Sequence, residues 1–220
     1  MKRLLVACFA LFISHFSFAQ NWKDYRLDDN VMVQVPSDVY VDSLSGQTIF
    51  SSKTALGACM FCVSPPQNLP VPDKNELNKA YGEMIRGHLS GEHAQLVNEF
   101  AVHNGELEGK GIRTHLTVNG NSIISETHFY LLESKVYQFQ FMQLENIYDS
   151  LDVDQSHFFQ SVRFVTKPKA AAQFTTNTGN LRSNSSAYNA GYFAGKLFMQ
   201  ILIIAGIIFL VVFVIKRVNQ

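Results

Sequence analysis

The sequence predicts an α+β protein: an antiparallel sheet of hairpins with helices on one face, followed by one C-terminal transmembrane helix. Three observations carry that prediction. Runs of alternating apolar and polar residues are separated by turn-forming pairs such as Asn104-Gly105 and Asn119-Gly120. One capped segment of helical period, starting at Asp73, interrupts those runs. Finally, Leu197–Ile215 is apolar and uncharged, broken only by Gln200, and Lys216-Arg217 follow at once.

The chain opens with Lys2-Arg3, the apolar run Leu4–Phe18 and the small-x-small site Ser17-Phe18-Ala19. This is signal-peptide grammar, with cleavage expected between Ala19 and Gln20. Leu5-Val6-Ala7-Cys8 also matches a bacterial lipoprotein box, but its apolar core falls short of the ~7–15 residues that a signal needs. An uncleaved anchor is the third reading, over a run short for a span of ~20 residues.

The domain follows over residues 20–166. Trp22, Tyr25 and Leu27 precede an Asp28-Asp29-Asn30 turn, and Val31–Val35 alternates up to Pro36, which makes an opening hairpin. Residues 47–52 and 58–64 are two further strands, and Pro65–Pro72 is a loop. Asp73 caps a helix, with Glu76 three residues on in a capping-box arrangement. Leu77, Tyr81, Met84, Ile85 and His88 share its apolar face, and Gly91 ends it.

Four strands come next. A two-residue type I′ loop at Asn119-Gly120 pairs Leu116 with Ile123 and Arg113 with Glu126. Ile112, Leu116 and Val118 then share a face with Ile123, Phe129 and Leu131, and opposite charges meet on the other face. Asn104-Gly105 reads as a second type I′ turn. A three-residue loop at Glu133–Lys135 sets Phe139 opposite Phe129 and Tyr137 opposite Leu131. Gly109 and Gly111 flank a change of parity between Leu107 and Ile112, where a bulge is expected. A short helix with Phe158, Phe159 and Val162 on its core face closes the domain, and residues 163–165 add a final strand. The order is β-β-β-β-α-β-β-β-β-α.

Residues 167–187 are Ser-, Thr-, Asn- and Ala-rich and read as a flexible linker. The juxtamembrane segment 188–196 carries Tyr188, Tyr192 and Lys196 as anchors at the membrane edge. Gly191 and Gly195 form a small-xxx-small pattern that is a candidate for helix association; its place at the membrane edge also suits a hinge. The span 197–215 nearly covers a ~30 Å hydrocarbon core at ~1.5 Å per residue. Lys216 and Arg217, in the tail 216–220, anchor its far edge and predict a cytoplasmic C-terminus. The layout gives a single-pass membrane protein with its N-terminal domain extracytoplasmic.

The chain holds 18 basic and 18 acidic residues. Lys2, Arg3, Lys196, Lys216 and Arg217 belong to the terminal segments and no acidic residue does, so the exported part is net negative. That argues against nucleic-acid binding. Cys59-Met-Phe-Cys62 is a C-x-x-C string on a strand, where residues three apart point to opposite faces with Cα atoms ~10 Å apart, beyond disulfide reach of ~7 Å. Both are expected to be free, buried thiols, which suits a bacterial envelope.

His88, His93, His103, His115, His128 and His157 match no ligand spacing and are expected on the solvated surface, His115 and His128 on the polar face of the central hairpin. Asp149, Asp152 and Asp154 lack the glycine and terminal glutamate of a calcium loop. No hydrolase elbow, zinc helix, phosphate loop or dinucleotide fingerprint occurs. No catalytic, cofactor-binding or metal-ligating residue is assigned, and no cofactor.

The opening hairpin with Val33-Gln-Val-Pro36, the mid-chain helix, the long central hairpins and the closing Ser156-His-Phe-Phe-Gln-Ser-Val-Arg-Phe164 resemble the PsbP-like module, over about residues 22–165. That module is named for an extrinsic photosystem II protein and recurs in bacterial envelope domains. The resemblance implies an α-β-α sandwich used for binding or assembly rather than catalysis, and transfers no site residue. The expected function is a membrane-tethered extracytoplasmic binding or assembly module, whose partners are the bilayer and either another envelope protein or a second copy. An envelope enzyme without a recognisable motif, hydrolase-like, and a ligand-sensing subunit are the alternatives.

Overall fold

The structure, a computed structural model, describes residues 22–36, 38–44, 47–54, 57–64, 71, 73–146 and 152–174, and the single positions 188, 189, 192 and 196. β1 (Lys23–Arg26) and β2 (Val31–Val35) form the opening hairpin, and β10 (Arg163–Phe164) pairs with β2 to complete a three-stranded sheet. Asp28 makes the first turn. Its Oδ1 accepts from the backbone N–H groups of Asn30 (2.8 Å) and Val31 (3.0 Å), a local bond that Asp is suited to make.

A seven-stranded antiparallel sheet is the centre of the molecule. It comprises β3 (Tyr40–Leu44), β4 (Gln47–Lys53), β5 (Gly57–Val63), β6 (Gln95–Asn104), β7 (Leu107–Val118), β8 (Asn121–Leu132) and β9 (Lys135–Leu144), in the spatial order β3-β4-β5-β9-β8-β7-β6. β3 is the strand the sequence reading omits. It lies at the sheet edge with Tyr40 and Val41 exposed, so burial imposes no alternation on it.

The helices cover both faces of this sheet, not one. Helix α1 (Lys74–Glu92) lays Leu77, Tyr81, Met84 and Ile85 against Ile112, Phe129, Leu131 and Val136. Helix α2 (Asp152–Ser161) and the small sheet cover the opposite face, where Phe158 and Val31, Val33 and Val35 join Phe61, Tyr137, Phe139 and Phe141. Each fully buried Phe of this layer contributes roughly 1.5–3 kcal/mol. β8 and β9 are therefore buried on both sides, and Thr127, Gln138 and Gln140, polar in sequence, face a layer of the core.

Three local expectations change. The loop between β8 and β9 holds two residues, because Leu132 pairs with Lys135; Tyr137 therefore faces Tyr130, and Phe139 faces His128. Glu133 and Ser134 both take positive φ (49° and 63°), so they make the same kind of turn as Asn119 and Gly120 (52° and 78°) without its usual residues. In the β6–β7 hairpin Asn104 pairs with Leu107, leaving Gly105-Glu106 as the loop with Gly105 alone at positive φ (61°); that is a type II′ arrangement, one residue later than expected. No bulge lies at Gly109 and Gly111. β7 keeps its register through both because Leu107 and Ile112 simply face opposite buried layers, and the glycines make room for the rings of Tyr130 and Phe100. The register shift is in β6, between Leu96 and Asn98.

Asp73 caps α1 as expected, accepting from the N–H groups of Asn75 (2.8 Å) and Glu76 (3.0 Å). The helix runs past Gly91 and ends at His93 in the left-handed region (φ 54°). This extension brings Glu92 into the core, where it accepts from Gln140 Nε2 at 2.6 Å.

The ordered chain also continues past residue 166, where a linker is expected. A 3₁₀ turn, Ala170–Gln173, packs against β7 and β8. Gln173 is buried. Its Nε2 donates to the carbonyls of Glu108 (2.7 Å) and Leu131 (3.1 Å), and its Oε1 accepts from Glu108 N–H (2.9 Å). Among the described residues no helix is long and apolar enough to cross a membrane, and the signal segment and Leu197–Ile215 lie outside them.

Candidate functional site

Three segments far apart in sequence meet to form a concavity. The tip of the β6–β7 hairpin (Asn104, Gly105, Glu106) faces the end of β10 and the turn after it (Arg163–Pro168), with Met32 of β2 between them. Asn104 fixes the approach by donating from Nδ2 to Val162 O at 2.7 Å. Val165 N–H bonds to Asn30 O at 2.8 Å, and Lys167 N–H to Phe164 O at 3.1 Å, so the wall is backbone-braced. The cleft has a volume of about 580 Å³.

Its floor is apolar: Met32, Phe164, Val165 and Pro168, with Val165 about half exposed. Charge sits at the rim. Arg163 is held by Asp24 at 2.7 Å, and a Glu106 carboxylate oxygen accepts from Ala170 N–H at 3.4 Å. The Lys167 ammonium forms no ion pair with any described residue. Such a cleft can bury a small apolar group beside the Lys167 ammonium. None of these residues is nominated as a site residue by the sequence, because they converge from three segments and share no motif.

A second polar assembly is enclosed rather than open. Between α1 and the sheet, His88 and Glu92 are fully buried, 3.3 Å apart. His88 Nδ1 lies 3.3 Å from Gln138 Nε2, and Gln140 Nε2 donates to Ser125 Oγ at 2.7 Å. This seam of polar side chains separates the Phe129 layer from the Leu116 and Ile123 layer. It corrects the expectation of solvated histidines, since helical period puts His88 on the apolar face and the sheet covers it. His128 is also buried. It stacks on Phe159 (ring centroids 3.8 Å apart) and contacts Glu126 at 2.9 Å.

Glu126 receives Arg113 at 3.0 Å, as the hairpin register requires, and Gln155 of α2 at 2.9 Å. Burial pushes the Glu126 carboxyl up, but the bonds from His128 and Arg113 outweigh it and hold the group below the usual carboxylate range. Cys59 and Cys62 point into opposite layers of the core and are free, and burial pushes both thiols up to about 12. Among the described residues no group of three or more His, Cys, Asp and Glu side chains gathers for a metal ion.

Of the residues nominated at the membrane edge, Tyr188, Tyr192 and Lys196 are helical. The Tyr188 and Tyr192 rings stack 6.0 Å apart, Arg86 of α1 lies 5.4 Å over the Tyr188 ring, and Lys196 lies 6.0 Å over Tyr192. Gly191, Gly195, Lys216 and Arg217 lie outside the described residues.

No family model matches the chain, and no curated protein sequence does. Among solved structures it is similar to cyanobacterial PsbP (CyanoP) from Synechocystis sp. PCC 6803, at 13% identity and a TM-score of 0.51, over 68% of this chain and 95% of that one. The fold is PsbP-like. Two other structures are similar at lower scores. One is the Ran-binding protein Mog1p of Saccharomyces cerevisiae, with 10% identity, TM-score 0.42, and 67% and 97% of the two chains covered. The other is LpqN of Mycobacterium tuberculosis, described as involved in cell envelope biogenesis, with 9% identity, TM-score 0.31, and 67% and 86% covered. At these identities the likeness concerns the fold alone.

Proposed function

We propose that the chain is a membrane-tethered extracytoplasmic binding or assembly module, acting without catalysis and engaging another envelope protein. The observation that carries this reading is the joining, in one chain, of a PsbP-like domain to the uncharged apolar stretch Leu197–Ile215 with Lys216-Arg217 behind it. The cleft supports it. Its floor is apolar, Arg163 is engaged by Asp24, and Lys167 is left to meet an anionic group on a partner. The partner segment that suits it carries an apolar side chain beside a carboxylate.

The test is made on the full chain in a bacterial envelope. The protein remains with membranes after mild lysis, and added protease reaches the domain only once the outer barrier is opened. A photoactivatable residue at Lys167 captures a discrete envelope protein, and one at the far-edge position Tyr40 does not. Recovery of the chain in the soluble fraction overturns the tether. Equal labelling from both positions overturns the cleft.

A further inference from the structure

Helix α1 carries three glycines, Gly82, Gly87 and Gly91, and the surroundings of the first two differ. A methyl group at Gly82 would meet nothing within 4 Å. A methyl group at Gly87 would collide with the Tyr188 carbonyl oxygen and lie 2.7 Å from Tyr192 N. Gly87 is therefore buried by the backbone of a second helical segment, and that approach is open only to a residue without a side chain. Tyr188 and Tyr192 are four apart, so both belong to the face of their helix that meets Gly87. The Arg86 guanidinium over the Tyr188 ring closes the contact from the side.

We infer that Gly87 is a docking notch for the juxtamembrane helix, so that the domain is mounted on its anchor in one orientation rather than hung from it. The partner of Tyr188 and Tyr192 is then α1 of the same chain, not a second copy. Because α1 covers one face of the seven-stranded sheet and β2 and β10 lie over the other, the mount turns the Met32–Phe164 cleft away from the bilayer. The orientation to the bilayer rests on the proposed membrane tether; the docking itself does not.

The experiment places spin labels at Asn78→Cys on α1 and Asn189→Cys on the second helix, both exposed, in the full chain in lipid nanodiscs. Cys8 is replaced by serine, and Cys59 and Cys62 are buried and take no label in the folded protein. A single narrow distance is expected, lost to a broad distribution in Gly87→Leu and retained in Gly82→Leu. An unchanged melting temperature of the Gly87→Leu domain separates loss of docking from loss of fold. A broad distribution in the unmodified chain, or a narrow one that survives Gly87→Leu, overturns the docking. A narrow distance in a chain that stays outside the nanodiscs overturns the membrane mount and leaves the helix contact standing.

Discussion

Tyr137 donates its hydroxyl proton to Asp28 Oδ2 across 2.8 Å, tying the central sheet to the first turn of the small one. The same carboxylate organises that turn through Oδ1 and meets Lys135 at 3.3 Å. Removing the two partners therefore has unequal effects. Tyr137→Phe loses the bond to Asp28 and the long one accepted from Asn30 Nδ2 at 3.4 Å, and is expected to lower stability by about 1 kcal/mol. Asp28→Ala also leaves two turn N–H groups without their acceptor and is expected to lower it by about 2–3 kcal/mol. Urea unfolding of the two variants checks this, and equal midpoints would sink it.

Gln173 bonds three backbone groups of β7 and β8 from a stretch that looks like linker. Gln173→Ala strands those groups in a buried setting and is expected to cost about 1–3 kcal/mol. An alanine substitution at the exposed Lys169 serves as the comparison. If both variants melt with the unmodified protein, the 3₁₀ turn contributes nothing to the fold.

Glu126 gives a pH dependence of defined sign. Its folded pKa lies below the ordinary value of 4.5, so its ionised form stabilises the fold at neutral pH. That contribution is complete above the unfolded value and is lost as the pH falls from about 4.5 through the lower folded value. The melting temperature of Glu126→Gln should accordingly fall less steeply than that of the unmodified protein over this acid range. Parallel curves would show that the carboxylate is not the group responsible.

The Glu133-Ser134 turn holds two ordinary residues at positive φ. Replacing the pair by Asn-Gly relieves a conformation that L residues adopt at a cost of ~1–2 kcal/mol, and should stabilise the protein by about 1 kcal/mol. The backbone bond from Glu133 N–H to Ala172 O survives the exchange. A drop in stability would mean that the side chains at 133 and 134 matter in themselves.

Cys59 and Cys62 have thiols pushed up to about 12 by burial. At pH 8 neither should react with a thiol reagent at the rate of a free cysteine, and labelling should follow the unfolding rate. Prompt, stoichiometric labelling of the native protein would contradict the packing on either side of β5.

The parts legible in sequence are those where local chemistry and burial agree. The Asn119-Gly120 turn fixes its own register, and the structure reproduces the Leu116–Ile123 and Arg113–Glu126 pairs. Asp73 announces α1, and the Phe158 face announces α2. What was hidden depends on distant residues. Gln138 and Gln140 look solvent-facing until Glu92 and His88 arrive over them from α1. The two-residue turn at Glu133 is invisible because neither residue favours positive φ, and its misreading turns Tyr137 and Phe139 to the wrong face. The cleft joins positions 32, 104–106 and 163–168, which no spacing rule connects. The role of Gly87 is equally silent, since Gly82 looks the same in sequence and touches nothing.

The irregularity in β6 between Leu96 and Asn98 has a bearing on colloidal behaviour. Leu96 and Val97 lie exposed on the outermost strand, where a straight ladder would recruit the same strand from a neighbouring molecule. The extra residue puts the donors and acceptors of that rim out of step with any incoming chain. The exposed apolar pair of that rim is thereby the stretch least suited to template a second copy.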